Sequence, residues 1–459
     1  MAESIAGIPR AAIESLLAAE QARFVAAHPR SAALAKRGQA HWLHGVPMHW
    51  MSDWGTPFPM FVAAARGAEL QDVDGNVYAD FCLGDTGAMF GHSPAPVAAA
   101  LKAQADRGLT AMLPSEDAVV AGELLARTFG LPYWQMTQTA SDANRAVLRW
   151  ARAITNRKAV LVFDGCYHGA VDDAFVRLED GAVSGRPGLV GQAADLALHS
   201  RCVEFNDLAA LEAVLRTREV ACVLAEPVMT NCGMVLPEPG FHEELRRLTR
   251  RHGTLLVIDE THTLSSGLGG FARVAHLEPD FMVAGKAIAG GYPCGVYGFG
   301  DEMHTRMLGV LAGKPVGHSG IGTTLAGNAM AAAALRASLE HVMTPAAYEH
   351  MLRLADRLED GLESLVNDEN LPWHVSRVGA RLEVGFVRTP PRTGRESTAR
   401  LPQLLPDAIR MYLLNRGLVI TPFHNMMLLS PATTAMQVDR LASGWTQCIT
   451  DLHVAARAA

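Results

Sequence analysis

A lysine and an aspartate each follow an apolar run of this chain, in a pattern that suits Schiff-base chemistry. Residues 255–263 read LLVIDETHT and residues 281–291 read FMVAGKAIAGG. If both runs are strands of a parallel sheet, Asp259 and Lys286 lie at the edge where ligands bind. A lysine that forms an imine with pyridoxal phosphate, and an acid that pairs with the pyridinium nitrogen, need this arrangement. A phosphate-binding or solvated lysine and a strand-end acid that caps the next helix are the alternatives.

Such chemistry sets requirements on both side chains. Lys286 must be neutral to attack an aldehyde, a state that burial and neighbouring cations favour. Once displaced from the imine, the lysine can carry a proton between substrate and cofactor as a general base. Asp259 would keep the pyridinium nitrogen protonated, so that the ring accepts electrons. Glu260 would add a hydrogen bond or cap a helix.

One further segment could hold the phosphate of this cofactor. Residues 136–153 read MTQTASDANRAVLRWARA, a strand end followed by a helix. Ala140 and Ser141 lie at the predicted helix N-terminus, where free backbone N–H groups and the helix dipole favour an anion. A plain Ser/Asp N-cap is the alternative.

Aromatic and hydroxyl side chains in two other segments could complete the site. Tyr167, with His168 beside it, follows the apolar run VLVF and could stack on a flat ring, or form an aromatic corner of the core. Thr323 and Thr324 open another predicted helix, where their hydroxyls could donate to a phosphate or cap the helix.

Composition narrows the class of protein. The 459 residues are 49% hydrophobic and 19% charged, typical of a globular enzyme with a large core. The formal net charge of −7 argues against a nucleic-acid-binding protein. Seven scattered cysteines without a CxxC spacing predict reduced thiols in the cytoplasm and no metal site. We find neither an apolar run long enough to cross a bilayer nor the apolar core of a secretory signal.

The rest of the chain supplies the elements that would position these residues. From about residue 95 to 335, helical stretches alternate with short β-rich runs, which favours a mostly parallel sheet covered by helices. Residues 8–36 read as a helical arm. We predict three segments: residues 1–75 as an N-terminal arm and part of a small domain, 76–335 as a large cofactor-binding domain, and 336–459 as the C-terminal small domain.

Taken together, the motifs resemble those of the class III aminotransferases, pyridoxal-phosphate enzymes of fold type I, and most of all the glutamate-1-semialdehyde aminomutase subgroup. The likeness runs from about residue 67 onward through DVDGNVYADF, GHSPAPV, FDGCYHG, EPVMTNCGMVLPEPGF, LLVIDE, GKAIAGGYPCGVYG and TTLAGN, in the family's order. It implies an α/β fold: a large domain with a mostly parallel seven-stranded sheet flanked by helices, and a smaller α+β domain formed from both termini. It also implies pyridoxal 5'-phosphate as cofactor and a homodimer that shares its active sites at the interface.

The resemblance also implies a role for individual residues. Lys286 matches the lysine of the Schiff base, and Asp259 matches the partner of the pyridinium nitrogen. Thr324 matches a threonine that reaches the phosphate of the neighbouring subunit's cofactor. The remaining cofactor contacts implied by the family are Ala140 and Ser141 at the phosphate, Tyr167 and His168 at the ring, and Glu226 and Asn231 near cofactor and substrate.

Several positions depart from the family pattern where the substrate should bind. The stretch 45–51, which contains Trp50 and Met51, lacks the arginine that helps the aminomutases hold a substrate carboxylate. Asp85 replaces a tryptophan, and it either faces a cationic group of the substrate or caps a turn. His424 falls where the small domain lines the pocket.

Two further departures lie beside the predicted cofactor. Thr261 stands where an apolar side chain is usual, and His262 is either a new polar group near the site or a buried histidine. Residues 139–143 read TASDA where the family has SGTEA, which keeps a hydroxyl and an acid but loses the glycine.

These departures argue against isomerisation of glutamate-1-semialdehyde and predict a transaminase. It would move an amino group from an amine or amino acid, possibly bulky or apolar, to a keto acid or aldehyde through a Schiff base on Lys286. The alternative is an aminomutase, racemase or ammonia-lyase on the same scaffold, because fold does not fix the reaction. Intact Lys286, Asp259 and Thr324 speak against a non-catalytic binding protein, and no GxGxxG motif supports a dinucleotide enzyme.

Overall fold

The computed structural model describes residues 4–315, 317, 319–398 and 403–458. These residues form two compact units. The terminal unit takes residues from the ranges Met1–Pro94, Glu349–Pro390 and Arg400–Ala459, and the central unit takes them from Ala95–Tyr348 and Pro391–Ala399. These boundaries differ from the predicted ones at residues 75 and 335.

The strands are short and spread over the whole chain. In chain order they are β1 (Ser4–Ile5), β2 (Ile8–Pro9), β3 (Val62–Arg66), β4 (Glu69–Asp72), β5 (Val77–Asp80), β6 (Tyr133–Thr137), β7 (Ala159–Phe163), β8 (Val176–Glu179), β9 (Ala182–Gly185), β10 (Ser200–Val203), β11 (Val220–Ala225), β12 (Leu255–Asp259), β13 (Phe281–Ala284), β14 (Gly295–Phe299), β15 (His374–Val378), β16 (Arg381–Gly385), β17 (Leu418–Val419) and β18 (Met426–Leu428).

The helices vary from five to 24 residues. In chain order they are α1 (Arg10–Ala27), α2 (Pro29–Gly38), α3 (Ala95–Ala105), α4 (Glu116–Phe129), α5 (Ala140–Thr155), α6 (Leu208–Leu215), α7 (Phe241–His252), α8 (Gly270–Val274), α9 (Asp301–Leu311), α10 (Ala329–His341), α11 (Pro345–Asp368), α12 (Gly394–Thr398), α13 (Leu404–Leu414) and α14 (Ala435–Ala458). Short 3-10 turns lie at His49–Met51, Asp172–Ala174, Leu196–Leu198, Thr263–Ser266 and Lys286–Ala289.

The central unit contains a seven-stranded sheet in the order β10-β7-β11-β12-β13-β14-β6. The first five of these strands pair in parallel, whereas β14 is antiparallel to both of its neighbours. Strands β7, β11, β12 and β13 are buried along their whole length, as expected for parallel strands covered on both faces. The predicted mostly parallel sheet is confirmed, and the carboxyl ends of its parallel strands meet at one edge.

The terminal unit has two main sheets of its own. Strands β17, β5, β4 and β3 form one, and β15, β16 and β18 form the other. Because β5 pairs with β4 and β17, the chain as far as residue 94 belongs to this unit and not to the predicted large domain. Its core contains Phe24 of α1 and Met411 of α13.

The predicted N-terminal helical arm is divided in two. Helix α1 ends at Ala27 and α2 begins at Pro29, so that His28 between them has φ −125° and ψ 49°. Proline disfavours helical backbone at the residue before it, which accounts for the break.

A bilayer sets a minimum length and apolarity for a helix that crosses it. Across the ranges described above, no helix is both long and apolar enough to span a membrane. The predicted cytoplasmic location stays a prediction.

Candidate active site

Lys286 occupies a strained turn directly after β13. Its φ of 48° lies in the left-handed region, which costs a non-glycine residue about 1–3 kcal/mol and is concentrated at functional sites. Gly285 before it packs against the start of α5 so closely that an added Cβ would lie 2.7 Å from Cβ of Ala140. The close packing on α5 and the tight turn fix the point from which the lysine side chain leaves the sheet.

The amino group of Lys286 contacts an imidazole. Nζ lies 2.5 Å from Nε2 of His262, a side chain that is 6% exposed. On its other side, Nδ1 of His262 lies 2.6 Å from Oγ1 of Thr230 and 3.2 Å from Nδ2 of Asn231. The sequence leaves two alternatives open for His262, and the structure combines them. The side chain is buried, and it also lies beside the predicted catalytic lysine.

Asp259, at the end of β12, is buried and accepts hydrogen bonds at both oxygens. The backbone N–H and the hydroxyl of Thr261 donate to Oδ1 at 3.1 and 2.6 Å. The amide of Asn144 donates to Oδ2 at 2.8 Å, and Nδ1 of His168 lies 3.0 Å from the same oxygen. Burial alone would raise the pKa of Asp259, but His168 and these hydrogen bonds lower it to about 2.

His168 is the positively charged partner of this aspartate. Burial by itself lowers the pKa of the imidazole, but its interactions with Cys166 and Asp259 outweigh burial and raise the pKa to about 10. The other ring nitrogen, Nε2, is buried and makes no hydrogen bond to any of the residues that the structure describes. The ion pair between His168 and Asp259 therefore lies at the end of the sheet, and Nε2 of His168 is a buried polar atom beside it.

Ala140 and Ser141 lie at the N-terminus of α5, as predicted, and their binding of an anion stays a prediction. Thr139 caps the helix by accepting from the N–H of Asp142 at 3.2 Å. The Ser141 hydroxyl accepts from the N–H of Ala170 at 3.0 Å, and a Cβ added to Gly169 would lie 2.0 Å from the Ser141 oxygen. Only glycine at position 169 lets the two segments approach this closely.

Tyr167 and Glu226 connect the ends of two neighbouring strands. Tyr167 is 44% exposed, which leaves room for a flat ligand to stack on its ring. Its backbone N–H donates to Oε1 of Glu226 at 3.3 Å. Oε2 of Glu226 accepts from the hydroxyl of Thr230 at 2.8 Å, and Nδ2 of Asn231 lies 3.4 Å from it. Glu226 and Asn231 therefore belong to the same network as His262.

This donor set fits pyridoxal phosphate. A strained lysine, a carboxylate held ionised by a buried imidazolium, a helix N-terminus and an exposed tyrosine ring supply the imine, ring-nitrogen, phosphate and stacking contacts that the group needs. Thr324, predicted to reach a neighbouring subunit's phosphate, is exposed in a turn before α10. Its contact with a partner stays a prediction.

Four residues predicted to line the substrate pocket belong to the terminal unit: Trp50, Met51, Asp85 and His424. Trp50 is 43% exposed in the turn His49–Met51, and Met51 is half-buried. Asp85 has a φ of 47°, in a segment where Leu83 and Thr86 are also left-handed. Nδ1 of His424 lies 3.1 Å from Oε2 of Glu383.

A charged cluster forms around Asp85 and His424. We define it as Asp85, Thr86, Arg381, Glu383 and His424. Arg381 is fully buried and donates through Nη2 to the hydroxyl of Thr86. Burial by itself lowers the pKa of His424, but Glu383 and Asp85 outweigh burial and raise it. Asp85 therefore lies close enough to His424 to raise its pKa, and its predicted role toward a substrate stays a prediction.

Some of these residues are not predicted by the sequence. Asn144 lies one helical turn after Ala140 and Ser141, a spacing that could have indicated it. Arg381 and Glu383 alternate in the otherwise apolar run RLEVG, so they share one face of β16. Thr230 carries no signal of its own beyond standing next to Asn231.

Comparison with known proteins gives a consistent set of relatives. A family model described as "Aminotransferase class-III" matches residues 50–448. Glutamate-1-semialdehyde 2,1-aminomutase from Anaeromyxobacter sp. (strain Fw109-5) is 36% identical over 337 residues, which are 72% of this chain and 77% of the relative.

Solved structures extend the likeness over almost the whole chain. A glutamate-1-semialdehyde-aminomutase from Pseudomonas aeruginosa PAO1 is 47% identical, with a TM-score of 0.95 over 97% of this chain and 100% of that chain. A lysine-to-alanine variant of it was crystallised in complex with PMP. An omega-transaminase from Sphaerobacter thermophilus is 26% identical, with a TM-score of 0.82 over 92% of this chain and 98% of that chain.

Proposed function

Because this chain belongs to the class III aminotransferases, pyridoxal-phosphate enzymes of fold type I, we propose that it is an aminomutase that moves an amino group between neighbouring carbons of one small substrate. The observation that carries this proposal is the likeness along nearly the full chain to proteins named aminomutases, with the transaminase much less similar. The sequence by itself offers this reaction only as its alternative, and the reaction fits the relatives better than transamination does.

Each predicted site residue of the central unit has a separate role in this proposal. When bound, pyridoxal phosphate withdraws electrons from the substrate carbon that bears the amino group. Lys286 would hold the cofactor, and its free Nζ would act as the base that carries a proton between two carbons of the substrate. Asp259, kept ionised by His168, would hold the proton of the ring nitrogen. The N-terminus of α5 would bind the phosphate, and Tyr167 would cover the ring.

An aminomutase makes particular demands on Lys286. The amino group leaves one carbon and arrives at the next without an external acceptor, so the lysine must exchange protons more than once in each turnover. The contact of Nζ with His262 at 2.5 Å supplies a second proton-carrying group beside it. A site of this kind suits repeated proton transfer within a closed cycle.

Transamination is the second candidate, favoured by the charged cluster of the terminal unit. Asp85 stands where the family pattern has a tryptophan, and the stretch 45–51 lacks the arginine expected for glutamate-1-semialdehyde. These differences suit another substrate, and a different substrate would allow an external amino acceptor.

The experiment supplies glutamate-1-semialdehyde to the purified holoenzyme with and without a keto acid. An aminomutase converts it to the positional isomer, with the amino group on carbon 1, at a rate independent of the keto acid. A transaminase forms product only in proportion to the added acceptor. Acceptor-dependent turnover would overturn the proposal, as would ammonia released in step with product, which indicates a lyase.

We also propose that the enzyme is a homodimer with shared active sites. Among the described residues of the central unit, Leu109, Met112, Leu113 and Leu325 are large apolar side chains with 47–80% exposure. Thr324 stands next to Leu325, so a partner that covers these side chains would also meet the threonine. Light scattering should give twice the mass of one chain, and a monomer with full activity would contradict the shared site.

A further inference from the structure

A continuous chain of polar side chains leads from Lys286 to a buried glutamate. Nζ of Lys286 lies 2.5 Å from Nε2 of His262, and Nδ1 of His262 lies 2.6 Å from Oγ1 of Thr230. The Thr230 hydroxyl reaches Oε2 of Glu226 at 2.8 Å. His262, Thr230 and Glu226 are 6%, 1% and 4% exposed. No step in this chain needs a water molecule, so protons can pass along it directly.

The short contact between Lys286 and His262 limits how they can be charged. Two cations 2.5 Å apart, one of them buried, would repel each other strongly, so one nitrogen must accept a hydrogen bond that the other donates. The hydroxyl of Thr230 can both donate and accept, so it can hydrogen-bond to Nδ1 of His262 whether that nitrogen carries a proton or not. Two arrangements of the hydrogens are possible, and they differ by one transferred proton. Nδ2 of Asn231, a donor 3.2 Å from Nδ1 of His262, favours the arrangement in which Nδ1 accepts and the lysine is neutral.

Glu226 suits the far end of such a chain. Burial raises the pKa of its carboxyl, although His168 and the Thr230 hydroxyl lower it in part. The carboxylate of Glu226 is buried and the ammonium of Lys286 is half-buried, so both lose hydration, and moving a proton from one to the other removes two unfavourable charges at once.

The other titratable groups at these strand ends have partners of their own. Asp259 and His168 bind each other, and Glu260 accepts from the backbone N–H groups of Phe271 and Ala272. Among the described residues, the titratable groups around the site include Asp142 on α5, Asp164, Cys166, Tyr167 and His168 after β7, Glu226 after β11, Asp259 at the end of β12, Glu260 and His262 after it, and Tyr348 on α11.

We propose that His262, Thr230 and Glu226 form a proton relay that makes the amino group of Lys286 neutral. The Lys286 ammonium gives a proton to Nε2 of His262 as Nδ1–H of His262 passes its proton to Oγ1 of Thr230. The Thr230 hydroxyl proton moves to Oε2 of Glu226. The lysine ends as a neutral amine and the glutamate as a neutral acid, with no other reactant. The inference deepens the proposed function, because the neutral amine is the form that captures the cofactor.

The relay is tested on the full-length protein without cofactor. Cyanate carbamylates only neutral amines, so the rate at Lys286, followed by peptide mass spectrometry from pH 6 to 10, reports the neutral fraction. The exposed Lys102 and Lys158 serve as standards within each sample. We expect His262→Met to slow carbamylation of Lys286 at pH 7 by about tenfold, the effect of 1.4 kcal/mol on a protonation equilibrium. The rate profile should also move to higher pH.

Two more variants separate the relay from simple positioning. His262→Gln offers an amide oxygen, which accepts a hydrogen bond from the ammonium but cannot take its proton, so it should be as slow as His262→Met. Thr230→Val removes the hydroxyl that links the imidazole to Glu226, so the form with a neutral lysine and a neutral glutamate loses stability and the reaction should also slow. The matched controls are His341→Gln on the surface and Thr249→Val, whose buried hydroxyl donates to the backbone oxygen of Arg246. Both should react like the wild type.

The outcomes decide between the possibilities. A wild-type profile in His262→Met, or full recovery in His262→Gln, would overturn the relay. Circular dichroism of each variant shows whether it is folded, and a folded His262→Gln suffices if His262→Met is not. Capture of added pyridoxal phosphate by wild-type Lys286, fixed with borohydride and located by mass, tests the proposed function separately. If Lys286 does not capture pyridoxal phosphate but its carbamylation follows the expected pH profile, the cofactor assignment is contradicted and the relay is still supported.

Discussion

Two buried polar regions of this molecule are built in different ways. The strand-end site of the central unit takes Lys286, Asp259 and Glu226 from positions at the ends of successive parallel strands of one sheet. The charged cluster of the terminal unit joins residues 85–86, 381–383 and 424, which are far apart in the chain. Both regions contain non-glycine residues with left-handed backbone, Lys286 in one and Asp85 and Thr86 in the other.

The difference shows in how charge is balanced. In the strand-end site, Asp259 has two donors on each oxygen, and one of them is the imidazolium of His168. In the charged cluster, the Arg381 guanidinium is grouped with the acids Asp85 and Glu383 and with His424. The first region contains the donor set that the cofactor needs, whereas a role of the second region in substrate binding stays a prediction.

The largest effect is expected at Lys286. Lys286→Ala should reduce turnover by about 10⁴-fold or more, since both the covalent bond to the cofactor and the general base are lost. Lys286→Gly should be equally inactive but more stable than Lys286→Ala by about 1 kcal/mol, because glycine adopts φ 48° without strain. Urea unfolding of the two cofactor-free variants measures the difference. Equal stability would show that the left-handed turn is not strained.

Asp259→Ala should have the next largest effect. It leaves the imidazolium of His168 buried without its counter-charge, and breaking a buried pair in this way costs about 3–5 kcal/mol. The loss is measured by urea unfolding, with Asp259→Asn as the variant that keeps the shape and loses the charge. For Asp259→Ala, a stability within about 1 kcal/mol of the wild type would contradict the ion pair.

The pH dependence of that loss follows from the two pKa values. The pKa of His168 is raised from 6.5 to about 10, so its contribution is complete below pH 6.5 and disappears as the pH rises through 10. The pKa of Asp259 is lowered from 3.8 to about 2, so its contribution is complete above pH 3.8 and disappears as the pH falls through 2. The stability gap between wild type and Asp259→Asn should therefore be widest between about pH 4 and 6.5 and narrow toward pH 10.

The same contrast explains what can be predicted from sequence. The buried strands and the acids and lysine after them are predictable because strand order alone brings their ends together. The sequence leaves His262 open because a turn after β12 can direct its side chain to the core or to the lysine. Arg381 and Glu383 escape prediction because their contacts with residue 86 and residue 424 depend on pairing between distant segments, which no local pattern records.

Arg381→Met tests whether the charged cluster serves the substrate. The change leaves the Thr86 hydroxyl without its donor, and we expect a loss of about 1–3 kcal/mol in unfolding free energy. If the cluster binds substrate, KM should rise while kcat changes little. Arg377→Met is the matched control, because Arg377 on β15 pairs with Asp356 and Glu359 near the surface. A KM shift in both variants, or in neither, would remove the cluster from substrate binding.

The smallest effect is expected at Thr261, where a hydroxyl replaces the family's apolar side chain. Its Oγ1 donates to Oδ1 of Asp259 at 2.6 Å, so Thr261→Val should cost about 1 kcal/mol and raise the pKa of the carboxyl. Thr263→Val removes another buried hydroxyl, one that donates to Oε2 of Glu260 at 2.5 Å. Both variants should lose similar stability, but only Thr261→Val should alter the visible spectrum of the bound cofactor. Identical spectra would show that His168, Asn144 and the backbone N–H of Thr261 are enough to hold Asp259 ionised, and that the extra hydroxyl does no more than stabilise the turn after β12.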